Sequence, residues 1–166
     1  MNMKLKRLMA FYIDVAIAAL LAVLVNGILL FCNIRVITPM IAILAWFALF
    51  CKDCFGGASA GKRIIGIQVI DANTGQIASP LKCVFRNLFY FLTFVECIAM
   101  YYSSNGLRIG DYASHTKVIL YNKALQSPKL SQSILAIGYA LIGLLLFELF
   151  YYFRASSFGL QGFLYQ

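Results

Sequence analysis

The chain has 166 residues, of which 62% are apolar and only 12% charged, yet its formal net charge is +8. A soluble domain of this size does not carry long uncharged runs of this kind, so the composition excludes an ordinary soluble core. No compact basic face interleaved with aromatics stands out, so nucleic acid is excluded as a partner, and the surplus of Lys and Arg instead marks loops facing anionic headgroups.

No charged residue lies between Val15 and Ile34, between Val36 and Cys51, or between Leu130 and Phe147. An α-helix needs roughly 20 apolar residues to cross a bilayer core about 30 Å thick. The first and last runs reach or approach that length, and the middle run is shorter. The first helix is expected from near Lys4 to about Phe31, with its charges confined to the turns from Lys6 to Asp14. Lys4, Lys6 and Arg7 resemble the basic start of a cleaved signal. The apolar run is too long for one, however, and Asp14 interrupts its start, so an uncleaved span is expected. Asn33 and Arg35 form a short turn. The second helix covers about Val36 to Cys51, with Pro39 in its first turn, where a missing N–H costs little.

A polar, glycine-rich segment follows from Lys52 to Lys62, and the β-branched stretch after it, Arg63 to Asp71, predicts extended chain. Within this segment, Gly56 to Arg63 has the glycine and lysine spacing of a phosphate-binding loop. It lacks the Ser or Thr that would hold Mg²⁺, and an apolar span precedes it rather than a sheet strand, so nucleotide hydrolysis is excluded. Its backbone N–H groups, with Lys62 and Arg63, still suit a phosphate or a carboxylate. Asn73-Thr74-Gly75 reads as a turn, and Ser79-Pro80 as a cap and first position of a helix.

Leu81 to Tyr102 is mixed, with Lys82, Arg86 and Glu96 among aromatics. Asn105-Gly106 turns the chain into Arg108-Ile-Gly-Asp111, a tight charged turn in which Asp111 is expected to meet Lys62 or Arg63. Val118 to Leu120 look extended and are expected to pair with the stretch Ile64 to Ile70 as a small ribbon. A last helix runs from about Leu130 to Phe153, and Tyr151 to Arg154 reads as an interfacial anchor.

Counting basic residues sets the topology. If the N-terminus, the segment after the second helix and residues 103–129 are all cytoplasmic, they hold twelve of the 14 Lys and Arg, leaving only Arg35 and Arg154 outside. Excess Lys and Arg on the cytoplasmic side is the general rule. It then requires residues 81–102 to enter and leave on one side, as a re-entrant hairpin or an interfacial helix. The expected fold is therefore an all-α polytopic membrane protein. It has three transmembrane helices, a re-entrant or interfacial aromatic helix, and a small cytoplasmic cap with a short β-ribbon.

Asp14 is the sharpest residue. An ionised carboxylate at bilayer depth costs several kcal/mol unless paired or hydrated. Arg7 lies seven residues away on the same face but about 10 Å along the axis, too far for a simple pair. Each must find another partner, and Lys62, Arg63, Arg86 and Arg108 are the candidates. An ion or proton site and a structural salt-bridge network are both open at this point. Glu96 either faces a cavity with Asp14 or snorkels outward. Glu148 reads as interfacial and His115 as a solvated loop residue.

The five cysteines are odd in number and scattered, which argues against a disulfide framework. Cys51-x-x-Cys54 lacks both a metal ligand set and a soluble redox context, and reads as placement at a membrane exit. No nucleophile with a base can be assembled, so no enzyme is expected, and neither a metal nor a cofactor.

The charged blocks together carry a resemblance. They are Arg7 to Asp14, Ser59 to Asp71, Arg86-Asn87, and Arg108 to Val118 with Asp111 inside it. In this order they resemble the RDD family of small bacterial membrane proteins, named for one arginine and two aspartates. The resemblance covers roughly residues 4–121 and implies Arg7, Asp14 and Asp111 as the naming triad. It suggests residues 1–121 as an RDD-like membrane domain, 122–129 as a linker, and 130–166 as an additional C-terminal transmembrane helix and tail. It also implies a bacterial cytoplasmic (inner) membrane, where transport of ions or small solutes has been suggested for the family.

Two expectations follow. One is a small ion, proton or solute transporter, or a transport component. It would use a network of Arg7, Asp14, Lys62, Arg63, Arg86, Glu96, Arg108 and Asp111, with Asp14 binding the ion, Arg7 and Arg86 tuning it, and Asp111 gating. The other is a non-transporting membrane adaptor, assembly or immunity factor that binds anionic lipid or a membrane partner. A chain this small would need to form a homo-oligomer, or join another membrane protein, to enclose a solute path.

Overall fold

The computed structural model describes residues 2–32, 38–104 and 106–157. The expected turn at Asn33 and Arg35 lies outside the described residues, as do the side chains of Glu148 and of the Tyr151 to Arg154 cluster. The elements are α1 (Met3–Phe31), α2 (Thr38–Cys51), α3 (Ala60–Ile65), β1 (Ile67–Asp71), α4 (Pro80–Leu88), a 3-10 turn (Phe89–Leu92), α5 (Thr93–Tyr102), α6 (Ile109–Ala113), β2 (Thr116–Leu120) and α7 (Leu130–Ser157).

The molecule is mostly helical, and among the described residues two helices are long and apolar enough to cross a membrane, α1 and the stretch Leu130–Phe147 of α7. The bent pair α4 and α5 counts as a third only if it is one broken span. α2 is described over 14 residues. At 1.5 Å per residue that is about 21 Å, short of a bilayer core.

Several local expectations hold. Ser79 caps α4 by accepting from the Lys82 N–H, and Pro80 stands in the first turn of α4; Ser59, not expected as a cap, does the same for α3 by accepting from the Lys62 N–H. These caps satisfy N–H groups that a helix start leaves orphaned. β1 and β2 form the small ribbon, antiparallel, with Ile67 opposite Leu120, Val69 opposite Val118 and Asp71 opposite Thr116.

The extended stretch is shorter than the sequence suggests. Arg63 to Ile65 belong to α3, and the strand starts only at Ile67. The break is at Gly66, whose φ of +75° ends the helix in the left-handed region that glycine enters without a Cβ penalty. The charged turn after Arg108 is also more regular than expected, a short helix, α6.

Residues 80–102 bend by 103° between α4 and α5. The last turn of α4 and the end of α5 are both tied to other elements. Arg86 of α4 meets Asp111, while Lys4 Nζ, at the start of α1, donates 2.8 Å to the carbonyl of Tyr101 near the end of α5.

Two small apolar clusters hold the remainder. Cys51, Cys54, Val84 and Ala136 join α2, α4 and α7, with Phe47, Ile137 and Ala140 against them. Val69, Ala78 and Cys83, with Val118, join the ribbon to α4. Neither is large, which directs attention to what else ties the cap to the helices.

Candidate functional site

What ties them is a buried charge network. It is built from the N-terminal turns of α1, the turn after α2, and α3, α4, α5 and α6. α1 buries Arg7, Ala10, Asp14 and Ala18, a stripe at three- and four-residue spacing that repeats on one helix face. The small Ala10 lets α3 come close. Gly61 of α3 sits against the Ala10 carbonyl, and a Cβ there would also stand 2.8 Å from Asp14 Oδ1.

Asp14 is fully engaged. Its Oδ1 accepts from the Gly61 N–H at 2.8 Å, and its Oδ2 accepts from Ser59 Oγ at 2.7 Å. Lys52 Nζ lies 2.9 Å from the same Oδ2. The sequence-based partners for this carboxylate, Lys62, Arg63, Arg86 and Arg108, are therefore corrected to Lys52. Seven residues of helix separate Arg7 from Asp14, and the first residue beyond α2 fills the gap. The glycine-rich loop does hold a carboxylate on its backbone N–H, and that carboxylate is the protein's own.

Asp111 is corrected in the same way. It meets neither Lys62 nor Arg63 but lies between two arginines. Arg7 NH2 reaches its Oδ2, and Arg86 NH1 its Oδ1 at 2.9 Å. The Arg108 N–H donates to Asp111 Oδ2 at 3.0 Å, fixing the start of α6. Arg7 also donates to the Gly106 carbonyl, so α1 and the α5–α6 connection are locked together.

The centre of the network is a residue the sequence did not single out. Asp53, fully buried, accepts from Lys62 Nζ at 2.5 Å, Arg86 NH2 at 2.7 Å and the Ser59 N–H at 3.1 Å. Asn87 Nδ2 lies 3.3 Å from Asp53 and donates at 3.0 Å to the Phe50 carbonyl, near the C-terminal end of α2. Arg86 thus bridges Asp53 and Asp111 with a side chain that has no exposure. Asp53 follows an apolar run directly and is one of only six acidic residues in the chain. In so basic a sequence, that placement was the available signal.

Glu96 is buried. It accepts from the Gly110 N–H at 2.7 Å, and Arg108 Nε stands 3.3 Å from its other oxygen. It lines the same cavity as Asp14. Arg63 departs from the set. It is exposed and spends its guanidinium on the carbonyls of Ala58 and Phe55 at 3.1 and 2.8 Å. His115 is exposed.

In the cap, burial alone would raise the carboxyl of Asp53, but Lys62, Arg86 and Lys52 override it and hold it far below the usual range. Asp111 is likewise held low, by Arg86, Arg7 and Arg108 against burial. Burial and the neighbouring Arg86 push Lys62 down to about 8, so it stays largely protonated at neutral pH.

Between α1 and the 3-10 turn and α5 is a cavity of about 30 Å³, bordered by Arg7, Asp14, Lys52, Lys62, Glu96 and Arg108. That is room for about one water. Tyr90 forms its wall, with Lys52 Nζ 4.6 Å and the Arg108 guanidinium 5.0 Å from the ring centre. Among the described residues, no three His, Cys, Asp or Glu side chains gather as metal ligands.

Compared with known proteins, the chain matches the family model of the RDD family over residues 4–161. The match continues through α7, past the motif blocks that end near residue 121. No curated protein and no solved structure matches the chain.

Proposed function

The chain belongs to the RDD family, and from that premise we propose that it is a non-transporting membrane adaptor whose cap docks on anionic lipid or an acidic membrane partner. In this reading α1 and α7 are full spans and α2 a third, shorter one, with the N-terminus cytoplasmic in a bacterial inner membrane. The bent pair α4 and α5 re-enters on the cytoplasmic side, a reading supported by Arg86 of α4 and Glu96 of α5 both belonging to the charge network and by Lys4 at the start of α1 holding the Tyr101 carbonyl. Catalysis has no part in it.

The observation that carries the reading is the state of Asp14. Both its oxygens are occupied, by Gly61, Ser59 and Lys52. A carboxylate already neutralised by a lysine and hydrogen-bonded on both oxygens is poorly placed to replace the shell of a dehydrating cation. Asp53, Asp111 and Glu96 are paired in the same way. The network therefore acts as a lock between cap and helices. The cap also carries exposed basic residues, Arg63, Lys117, Lys123 and Lys129. Basic residues beside an anionic surface contribute about 1 kcal/mol each.

The test uses purified full-length protein in two assays. Vesicles of phosphatidylglycerol and of phosphatidylcholine are offered to protein in nanodiscs. Tighter binding to the anionic vesicles, lost when Lys117, Lys123 and Lys129 are replaced by Gln, supports docking. Reconstituted vesicles are then assayed for proton and sodium flux. Flux that disappears in a folded Asp14→Asn variant would overturn the proposal and restore the transporter reading.

A further inference from the structure

The charge network is closed around its carboxylates but not around its cations. Arg7, Lys52, Lys62, Arg86 and Arg108 face Asp14, Asp53, Glu96 and Asp111, so the positive groups exceed the negative by one. The excess is not spread evenly. Lys62 holds Asp53 and Arg7 holds Asp111, so Arg86, which does not border the cavity, is the extra cation, shared between those two carboxylates. The cavity itself is bordered by four cations, Arg7, Lys52, Lys62 and Arg108, and by only two carboxylates, Asp14 and Glu96.

Two of those cations keep unused donors. Lys52 carries three N–H groups on a side chain only 8% exposed, and its one acidic contact is Asp14, with no well-formed hydrogen bond from Nζ. Arg108 Nε is buried and stands 3.3 Å from Glu96, again without a well-formed hydrogen bond. Buried donors left open are costly and normally find a partner. Both head groups gather on the ring of Tyr90, which gives partial compensation through its face but no hydrogen bond.

We propose that this cavity binds a single monatomic anion of the halide class, held between Lys52 and Arg108 beside Tyr90. The volume, about 30 Å³, is enough for a particle of roughly water size. A water fills the space but leaves the positive excess in place. A halide accepts from both open donors and removes the excess. The apolar rim, Leu8, Phe11, Cys97 and Met100, suits a weakly hydrated anion. The inference concerns a different place from the exposed basic face of the cap and does not depend on lipid docking.

The experiment measures Tm of the full chain in mild detergent in sodium chloride, sodium bromide and sodium gluconate at equal ionic strength. Equal ionic strength holds general screening constant. A ligand bound only by the folded state raises Tm with its concentration. The expected result is a saturable upward shift in chloride and bromide relative to gluconate, absent in Lys52→Met and retained in Lys117→Met. Equal Tm in the three salts overturns the proposal, and so does a halide shift that persists in folded Lys52→Met. Should Lys52→Met fail to fold, bromide anomalous scattering from wild-type crystals decides. A peak between Lys52 and Arg108 supports the site, and an ordered water without a peak overturns it. Vesicle binding, read in parallel, separates the two proposals, because exchanging chloride for gluconate leaves it unchanged if the cap alone docks.

Discussion

The two halves of α1 are held by different physics. From Met3 to Ala18 the helix buries Arg7, Ala10, Asp14 and Ala18, and each buried polar group there has charged or backbone partners. From Leu20 onward it presents Leu20, Val23, Leu24, Ile28 and Phe31 outward, the last 90% exposed. The first half is fixed by directional pairing inside the chain, and the second gains its environment from lipid or another polypeptide. Specificity of fold therefore sits at one end of the molecule, where the apolar clusters are small and the ion pairs many. Burying ion pairs is a costly route to stability, but breaking one partner away is costlier still. The network therefore acts as a lock.

Acid should damage the charged end most, because it removes two locks at once. Asp53 and Asp111 have carboxyls depressed in the folded cap relative to the unfolded chain. Groups of this kind contribute stability that is complete above the unfolded value of about 4 and is lost as pH falls below it. Tm in detergent should stay level between about pH 5 and 7 and drop steeply below about pH 4. A Tm that is flat into that acid range would show that the network contributes little.

Asp53→Ala comes next. It strands Lys62 and Arg86 in a site without solvent. Removing one partner of a buried pair costs about 3–5 kcal/mol, to be read from unfolding midpoints. A loss below about 1 kcal/mol would place Asp53 among ordinary surface pairs. Gly61→Ala tests how closely α3 and α1 approach, since the added Cβ meets the Ala10 carbonyl and Asp14. Overpacking of this sort costs about 1–3 kcal/mol.

Much of this was legible in the chain. The uncharged runs gave α1 and α7, Ser79-Pro80 gave the start of α4, and the β-branched stretches gave the ribbon. The need of Arg7 and Asp14 for separate partners also followed from helix rise alone. Which partners they take did not, because pairing across 47 or 104 residues is set by how α3, α6 and the turn after α2 converge. Asp53 stayed hidden because it belongs to no local pattern, and its role exists only where Lys62, Arg86 and Asn87 meet. α3 was read as part of a strand because Ile64 and Ile65 carry strand propensity, which Gly66 and the Ser59 cap override.

The far end of α1 offers the smallest effect and the most discriminating one. Ile28 is 63% exposed. If it faces acyl chains, Ile28→Ala exchanges one lipid contact for another, since lipid tails are as apolar as the lost side chain. Alanine is also the better helix former. Stability in nanodiscs should then change by less than about 0.5 kcal/mol. A loss of about 2 kcal/mol or more, the size of a core truncation, would mean that this face is packed against protein. Dissociation of a larger species on size-exclusion chromatography of the variant would identify a second copy as the cover. The apolar half of α1 would then be an interface, as specific as the charged half, with its partner on another chain.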